Sequence, residues 1–130
     1  MSTIDTDLKY TKNHEWLRLD SDYDAVCGIS DHAQEMLTSI VFVDLPEAGA
    51  EVKQGEAIAA IESAKAVSDI FAPVTGVVTV INRKLEDAPE LINSDPYGEG
   101  WIFKMDVTRM AELEDLMDAD EYQSYVDDDN

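Results

Sequence analysis

Short apolar runs, each cut off by turn-forming residues before it can lengthen into a helix, dominate the middle of this chain. They fall at 15–19, 23–29, 40–45, 57–61, 68–72, 76–81 and 101–105. Runs of that length and spacing predict strands, and many short strands between turns predict an all-β sandwich or barrel rather than a parallel sheet. Val77-Val78-Thr79-Val80-Ile81 lacks clean alternation, which predicts a strand covered on both faces. The last run does alternate, and places Trp101, Phe103 and Met105 on one side with Lys104 on the other.

Two segments depart from the strand pattern. Asp31 to Leu37 reads as a short helix, capped by Ser30 or Asp31, with Gln34 as capping-box partner three residues beyond Asp31. After Thr108, Met110, Leu113, Leu116 and Met117 fall at helical spacing. Ala119, Tyr122 and Val126 follow a second cap at Asp118 with Glu121. Two packed terminal helices are expected at about 108–126, with Asp127-Asp128-Asp129-Asn130 frayed in solvent. A chain of 130 residues is the size of one domain, so one core is expected over 1–130.

Acidic residues number 29 against 9 basic, a formal charge of -20. Phosphate backbones and anionic membranes would be repelled, so neither nucleic acid nor a membrane is the expected partner. So large a charge also suits a protein adapted to high salt, where self-repulsion is screened. The first seven residues hold no apolar run and no arginine, and no stretch approaches the ~18 apolar residues of a membrane span. A cytoplasmic protein is expected.

The chemistry-bearing residues are few. Cys27 is the single cysteine, which excludes an internal disulfide and a site of paired cysteines, and it reads as a buried, inert strand residue. Redox chemistry would need sulfur from a cofactor. His14 and His32 stand apart from any other ligand or nucleophile, so each reads as a core or surface histidine rather than a zinc ligand. No Gly-rich phosphate loop and no nucleophile elbow is present. The chain carries no catalytic set or metal set of its own.

One lysine stands out by position. Lys65 lies in Glu62-Ser63-Ala64-Lys65-Ala66-Val67-Ser68-Asp69, between the run 57–61, which follows the turn Lys53-Gln54-Gly55-Glu56, and Ile70-Phe71-Ala72, which meets the breaker Pro73-Val74-Thr75-Gly76. It is therefore expected at a loop tip. Its neighbours Ser63, Ala64 and Ala66 are small enough for an enzyme to close around the stem, and Glu62 and Asp69 keep the local charge negative. No Asn-Gly or Asp-Gly announces a tight hairpin there.

The run Glu-Ser-Ala-Lys-Ala-Val-Ser-Asp, followed by Ala72-Pro73-Val74-Thr75-Gly76, resembles the lipoylation site of the glycine cleavage system H proteins, usually Glu-Ser-Val-Lys-Ala-Ala-Ser-Asp. Ala64 and Val67 depart from that form. The resemblance extends from Leu8-Lys9-Tyr10 through His14-Glu15-Trp16, Gly28 to Gln34, Val41 to Pro46 and Pro89 to Tyr97, as far as Gly100-Trp101-Ile102-Phe103-Lys104, each block in the family's order.

The resemblance implies a mainly β fold, a lipoyl/biotinyl-type sandwich (barrel-sandwich hybrid) with a short internal helix and C-terminal helices. It implies lipoate in amide linkage on Lys65 as N6-lipoyl-lysine, and a non-catalytic carrier. The implied partners are glycine decarboxylase, aminomethyltransferase, dihydrolipoyl dehydrogenase and the lipoylating enzymes, with the carrier itself a monomer. Glu15 and Asp69 match acidic positions that flank the family's cleft for the loaded arm. A lipoyl domain of a 2-oxoacid dehydrogenase would carry Asp where Ala64 stands, and a biotin carrier would flank the lysine with methionines. A relay of lipoyl groups to other enzymes and an interaction module that is never lipoylated stay open.

Overall fold

The computed structural model describes residues 3–128. Among the described residues, nine strands form two antiparallel sheets. The strands are β1 (Lys9–Tyr10), β2 (Glu15–Leu19), β3 (Asp24–Ile29), β4 (Ile40–Asp44), β5 (Glu51–Val52), β6 (Ala57–Ser63), β7 (Val67–Phe71), β8 (Gly76–Ile81) and β9 (Phe103–Val107). The larger sheet runs β1-β2-β3-β9-β8-β5 and the smaller β4-β6-β7. Leu17, Ala25, Cys27, Phe103 and Met105 of the larger sheet meet Val43, Ile61 and Ile70 of the smaller one in the main core. This is the mainly β, two-sheet sandwich that the strand pattern predicts.

The larger sheet also buries its other face, through the alternate residues. Trp16 and Val26 point away from the main core into a second cluster with Leu8, Tyr10, Ala119, Tyr122 and Val126. Alternation along β2 and β3 explains the division, since neighbouring strand residues face opposite sides. Trp16 pairs in register with Gly28, where a Cβ would sit 2.9 Å from the indole. Glycine there is the space the tryptophan ring occupies. The indole N–H donates to the Pro96 carbonyl at 3.0 Å, so its one polar atom is satisfied despite burial.

Among the described residues, four α-helices lie outside the strands: α1 (Asp31–Leu37), α2 (Lys84–Asp87), α3 (Leu91–Ser94) and α4 (Ala119–Asp128). Ser30, rather than Asp31, caps α1, its hydroxyl accepting from the Ala33 N–H at 3.2 Å, while the Gln34 amide donates to Asp31 at 2.7 Å. The capping box at α4 forms as the sequence predicts: Glu121 N–H donates to the Asp118 carboxylate at 2.9 Å, and Asp118 N–H donates to Glu121 at 3.1 Å. No helix among the described residues is long and apolar enough to cross a membrane.

Four local expectations are corrected. The strand covered on both faces is β3, whose last five residues are all buried, not β8. A register shift between Val78 and Val80 interrupts β8, and leaves Thr79 and Val80 facing solvent; the bulge, not double coverage, is what disturbs its alternation. Trp101 precedes β9 and packs on the second cluster, whereas Phe103, Met105 and Val107 face the main core. Met110–Asp115 is a 3-10 helix rather than an α-helix, with Met110 exposed and Leu116 buried beyond its end. Finally, α4 continues through Asp127 and Asp128, where fraying was expected; Asp129 and Asn130 lie outside the described residues.

Candidate functional site

The hairpin β6-β7 pairs Glu62 with Val67, Ile61 with Ser68 and Ala60 with Asp69. Ile61 and Ile70 anchor it in the main core, and Lys65 stands exposed at the tip. The tip is fixed by Ser63. Its hydroxyl accepts from the Ala66 N–H at 2.9 Å and the Lys65 N–H at 3.2 Å and donates to the Ala66 carbonyl at 3.0 Å, while its own N–H donates to the same carbonyl at 2.8 Å. A serine side chain here does the work of a turn dipeptide, by bonding the backbone two and three residues on. The Ala64 N–H is held by the Ser39 carbonyl at 2.9 Å, which ties the tip to the segment before β4.

Among the described residues, no ion pair or side-chain hydrogen bond engages the Lys65 ammonium. Some other basic side chains are engaged: Lys84 pairs with Glu99 at 3.3 Å, and Lys104 lies 5.3 Å from the centre of the Trp101 ring. Lys65 thus combines a fixed backbone with an unengaged amine. That is the arrangement needed for an enzyme to acylate Nζ, since the stem can extend without breaking a contact.

Glu15 and Asp69 are placed differently. Glu15 is 2% exposed, and its carboxylate accepts from the Thr11 hydroxyl at 2.5 Å and from the Phe71 N–H at 3.2 Å. Burial pushes its carboxyl above the ordinary range, opposed by the hydrogen bonds from Thr11, Phe71 and its own backbone. It therefore pins the larger sheet to β7, two residues from Asp69. A small cavity of about 140 Å³ opens beside it, lined by Thr11, Glu15, Gln54, Phe71, Pro73 and Leu116. Asp69 does not line this cavity and stays on the exposed face of β7. A surface cleft of about 750 Å³ lies around β5 and Thr108, away from the tip.

Sequence reasoning missed Ser63 as the tip's organiser and Thr11 and Phe71 as partners of Glu15. A serine two residues before the lysine was the available signal for the first. The second needs the tertiary fold. It also separated two histidines that the fold unites: the His14 and His32 rings lie 5.0 Å apart, with His14 Nδ1 2.8 Å from the Tyr122 hydroxyl. They belong to the second cluster's polar seam, where Tyr122 also meets the Ser30 hydroxyl at 2.6 Å. No group of three or more metal-ligating residues forms among the described residues. Cys27 is fully buried, and burial pushes its thiol far up, so it is inert as read.

A sandwich of two small sheets that displays one unengaged lysine on a serine-fixed hairpin is the architecture of a lipoyl-type carrier domain. The family model described as glycine cleavage H-protein matches residues 8–129. The chain belongs to that family, the lipoyl carriers of the glycine cleavage system. It is 52% identical over 128 residues to the glycine cleavage system H protein of Shewanella halifaxensis, covering 98% of this chain and 99% of that one. It is 51% identical over 129 residues to that of Idiomarina loihiensis, covering 99% and 100%. The crystal structure of a glycine cleavage system H protein from Mycobacterium marinum superposes with a TM-score of 0.86 at 37% identity, over 93% of this chain and 97% of that one.

Proposed function

We propose that Lys65 is the attachment point, as N6-lipoyl-lysine, and that this chain serves glycine cleavage as a non-catalytic, monomeric carrier in the cytoplasm. The observation that carries this is the unengaged Lys65 amine on a tip whose backbone is fixed by Ser63 and Ser39. When bound, the lipoyl group supplies a disulfide that takes the aminomethyl group from glycine decarboxylase, yields it to aminomethyltransferase, and is restored by dihydrolipoyl dehydrogenase.

The protein's own contributions are mechanical and electrostatic. Lys65 Nζ forms the amide and gives up its charge. The hairpin sets one attachment point, so a flexible arm raises the local concentration of the reactive group at each enzyme it reaches without tight binding to any. Glu15 and Asp69 offset the positive amine of a loaded arm folded back along β7.

The test is glycine-dependent carbon dioxide exchange with purified glycine decarboxylase, comparing lipoylated wild type with Lys65→Arg. Exchange with wild type alone supports the assignment. Exchange supported by the arginine variant, or by neither protein, contradicts it, and a wild type that is lipoylated yet inactive in exchange would point to a relay instead.

A further inference from the structure

The face of the smaller sheet below the Lys65 tip is unusually apolar for a surface. Val41, Phe42 and Val67 are 58%, 52% and 66% exposed. Phe42 pairs with Glu62, and Glu62 with Val67, so the three lie in one row across the sheet, one step from the hairpin tip. Val41 joins them because the β4-β6 register shifts between Ile40 and Phe42, which turns two consecutive residues of β4 outward. Simple alternation would have sent one of them into the core. A groove of about 470 Å³ continues from Phe42 past Leu45 and Pro46 to Ile81.

The rim of this stripe is acidic. Asp44, Ala60 and Asp69 form the next row outward, Glu62 divides Phe42 from Val67, and Glu86 borders the groove. None of the three strands of the smaller sheet carries a basic residue, so Lys65 is the one cation of the hairpin. Apolar side chains interleaved with and bordered by carboxylates fit a partner that offers apolar contacts beside cations, and the stripe is continuous with the residue that must enter that partner's active site.

We propose that the Val41-Phe42-Val67 stripe is the docking surface of the enzyme that acylates Lys65, an acyl-transferring enzyme presenting an apolar patch bordered by lysine or arginine. The inference rests on Lys65 being the attachment point. It explains how one lysine is chosen among six: the tip supplies the nucleophile, and the stripe supplies the binding energy.

The experiment measures acylation of Lys65 by a purified ATP-dependent lipoyl ligase, with lipoate as donor and the mass of the Lys65 peptide as readout. The substrates are wild type, Val41→Ser/Phe42→Ser, Val67→Ser, and Tyr23→Ser as a control, an exposed aromatic at the start of the 23–29 run. The stripe variants should raise KM by about tenfold with kcat nearly unchanged, as expected for lost interface contacts, and Phe42→Leu should recover most of the loss. Asp44→Asn should raise KM in low salt only, because screening removes the same attraction in wild type.

Unchanged KM in the stripe variants overturns the proposal, as does an equal loss in the Tyr23 variant. Unchanged acylation combined with impaired loading by glycine decarboxylase would give the face to that enzyme instead. A wild type that dimerises through the stripe in sedimentation would give it to a second copy. If wild type is not acylated at Lys65 at all, the carrier assignment itself has failed, and the two failures are thereby told apart.

Discussion

The Lys65 hairpin and the aromatic cluster under α4 sit on different sheets and are built on opposite plans. The hairpin tip exposes its side chains and is held by backbone and serine hydrogen bonds. The cluster buries Tyr10, Trp16 and Tyr122 completely, stacks Tyr10 on Tyr122 at 4.3 Å, and satisfies each polar atom. Stability and function are thus held in separate places. On the proposed assignment, the surface that several enzymes handle contributes little to the fold, and the buried aromatic cluster is closed to them.

This separation can be broken most severely at Trp16. Trp16→Ala should cost roughly 3–5 kcal/mol, because the ring fills the space left by Gly28 and donates a buried hydrogen bond. Gly28→Ala should also destabilise, by forcing the indole aside. Urea titration checks both. Any of either variant that remains folded should still be acylated at Lys65, so a folded variant with a silent lysine would mean that the two regions are coupled.

Ser63→Ala sharpens the comparison from the other side. Global stability should fall by no more than ~1 kcal/mol, since the tip lies outside both cores, while the rate of Lys65 acylation should fall more than that loss of stability explains. The measurement pairs a melting curve with single-turnover acylation. An unchanged rate would mean that the enzyme orders the tip by itself.

How much of this plan was legible beforehand depends on how local each feature is. The runs that became β2, β3, β4, β6 and β7 were readable from period and turn residues, as was the Asp118-Glu121 box, because each is specified within a few residues. The β8 bulge at Thr79 was not, since a one-residue register shift leaves the composition of the run unchanged. Lys65 was located by motif and position, but Ser63 looked only small. Glu15 was legible as an acidic position and illegible as a buried pin, because its partner Phe71 is 56 residues away. The same holds for His14 and Tyr122, 108 residues apart.

Glu15 gives a smaller and more specific effect. Its folded carboxyl is raised, so the native state holds this proton more tightly than the unfolded chain, and its contribution to stability is greatest below the ordinary value of 4.5 and declines as pH rises through the raised value. Glu15→Gln should remove that decline. The difference in stability between wild type and variant, followed by chemical denaturation from acid to neutral pH, should therefore shift in favour of the variant as pH rises. In lipoylated protein, Glu15→Ala and Asp69→Ala should shorten the lifetime of the aminomethyl adduct, read as ammonia and formaldehyde release without aminomethyltransferase. Adducts as long-lived as wild type would leave the shelter to packing alone.

Salt should act mainly through charge crowding outside both regions. Asp24 and Asp106 pair directly across β3 and β9, and Asp106 is pushed up by lost hydration and then by its hydrogen bond and charge interaction with Asp24. The ion pairs Arg18–Asp20, Arg83–Glu86 and Lys84–Glu99 are all on the surface and do little to offset a charge of -20. Sodium chloride should raise the melting temperature, and Asp106→Asn should raise it at low salt with a gain that fades at high salt. A melting temperature that stays flat or falls with salt would count against adaptation to a saline interior.

The most direct test of the central claim is the mass of the protein purified from its native host, with the modified residue mapped by peptide. A gain of one lipoyl group on Lys65, absent from Lys65→Arg and from Lys53, Lys84 and Lys104, with the variant melting as wild type does, is the predicted result. An unmodified Lys65, or a lipoyl group on another lysine, would contradict it.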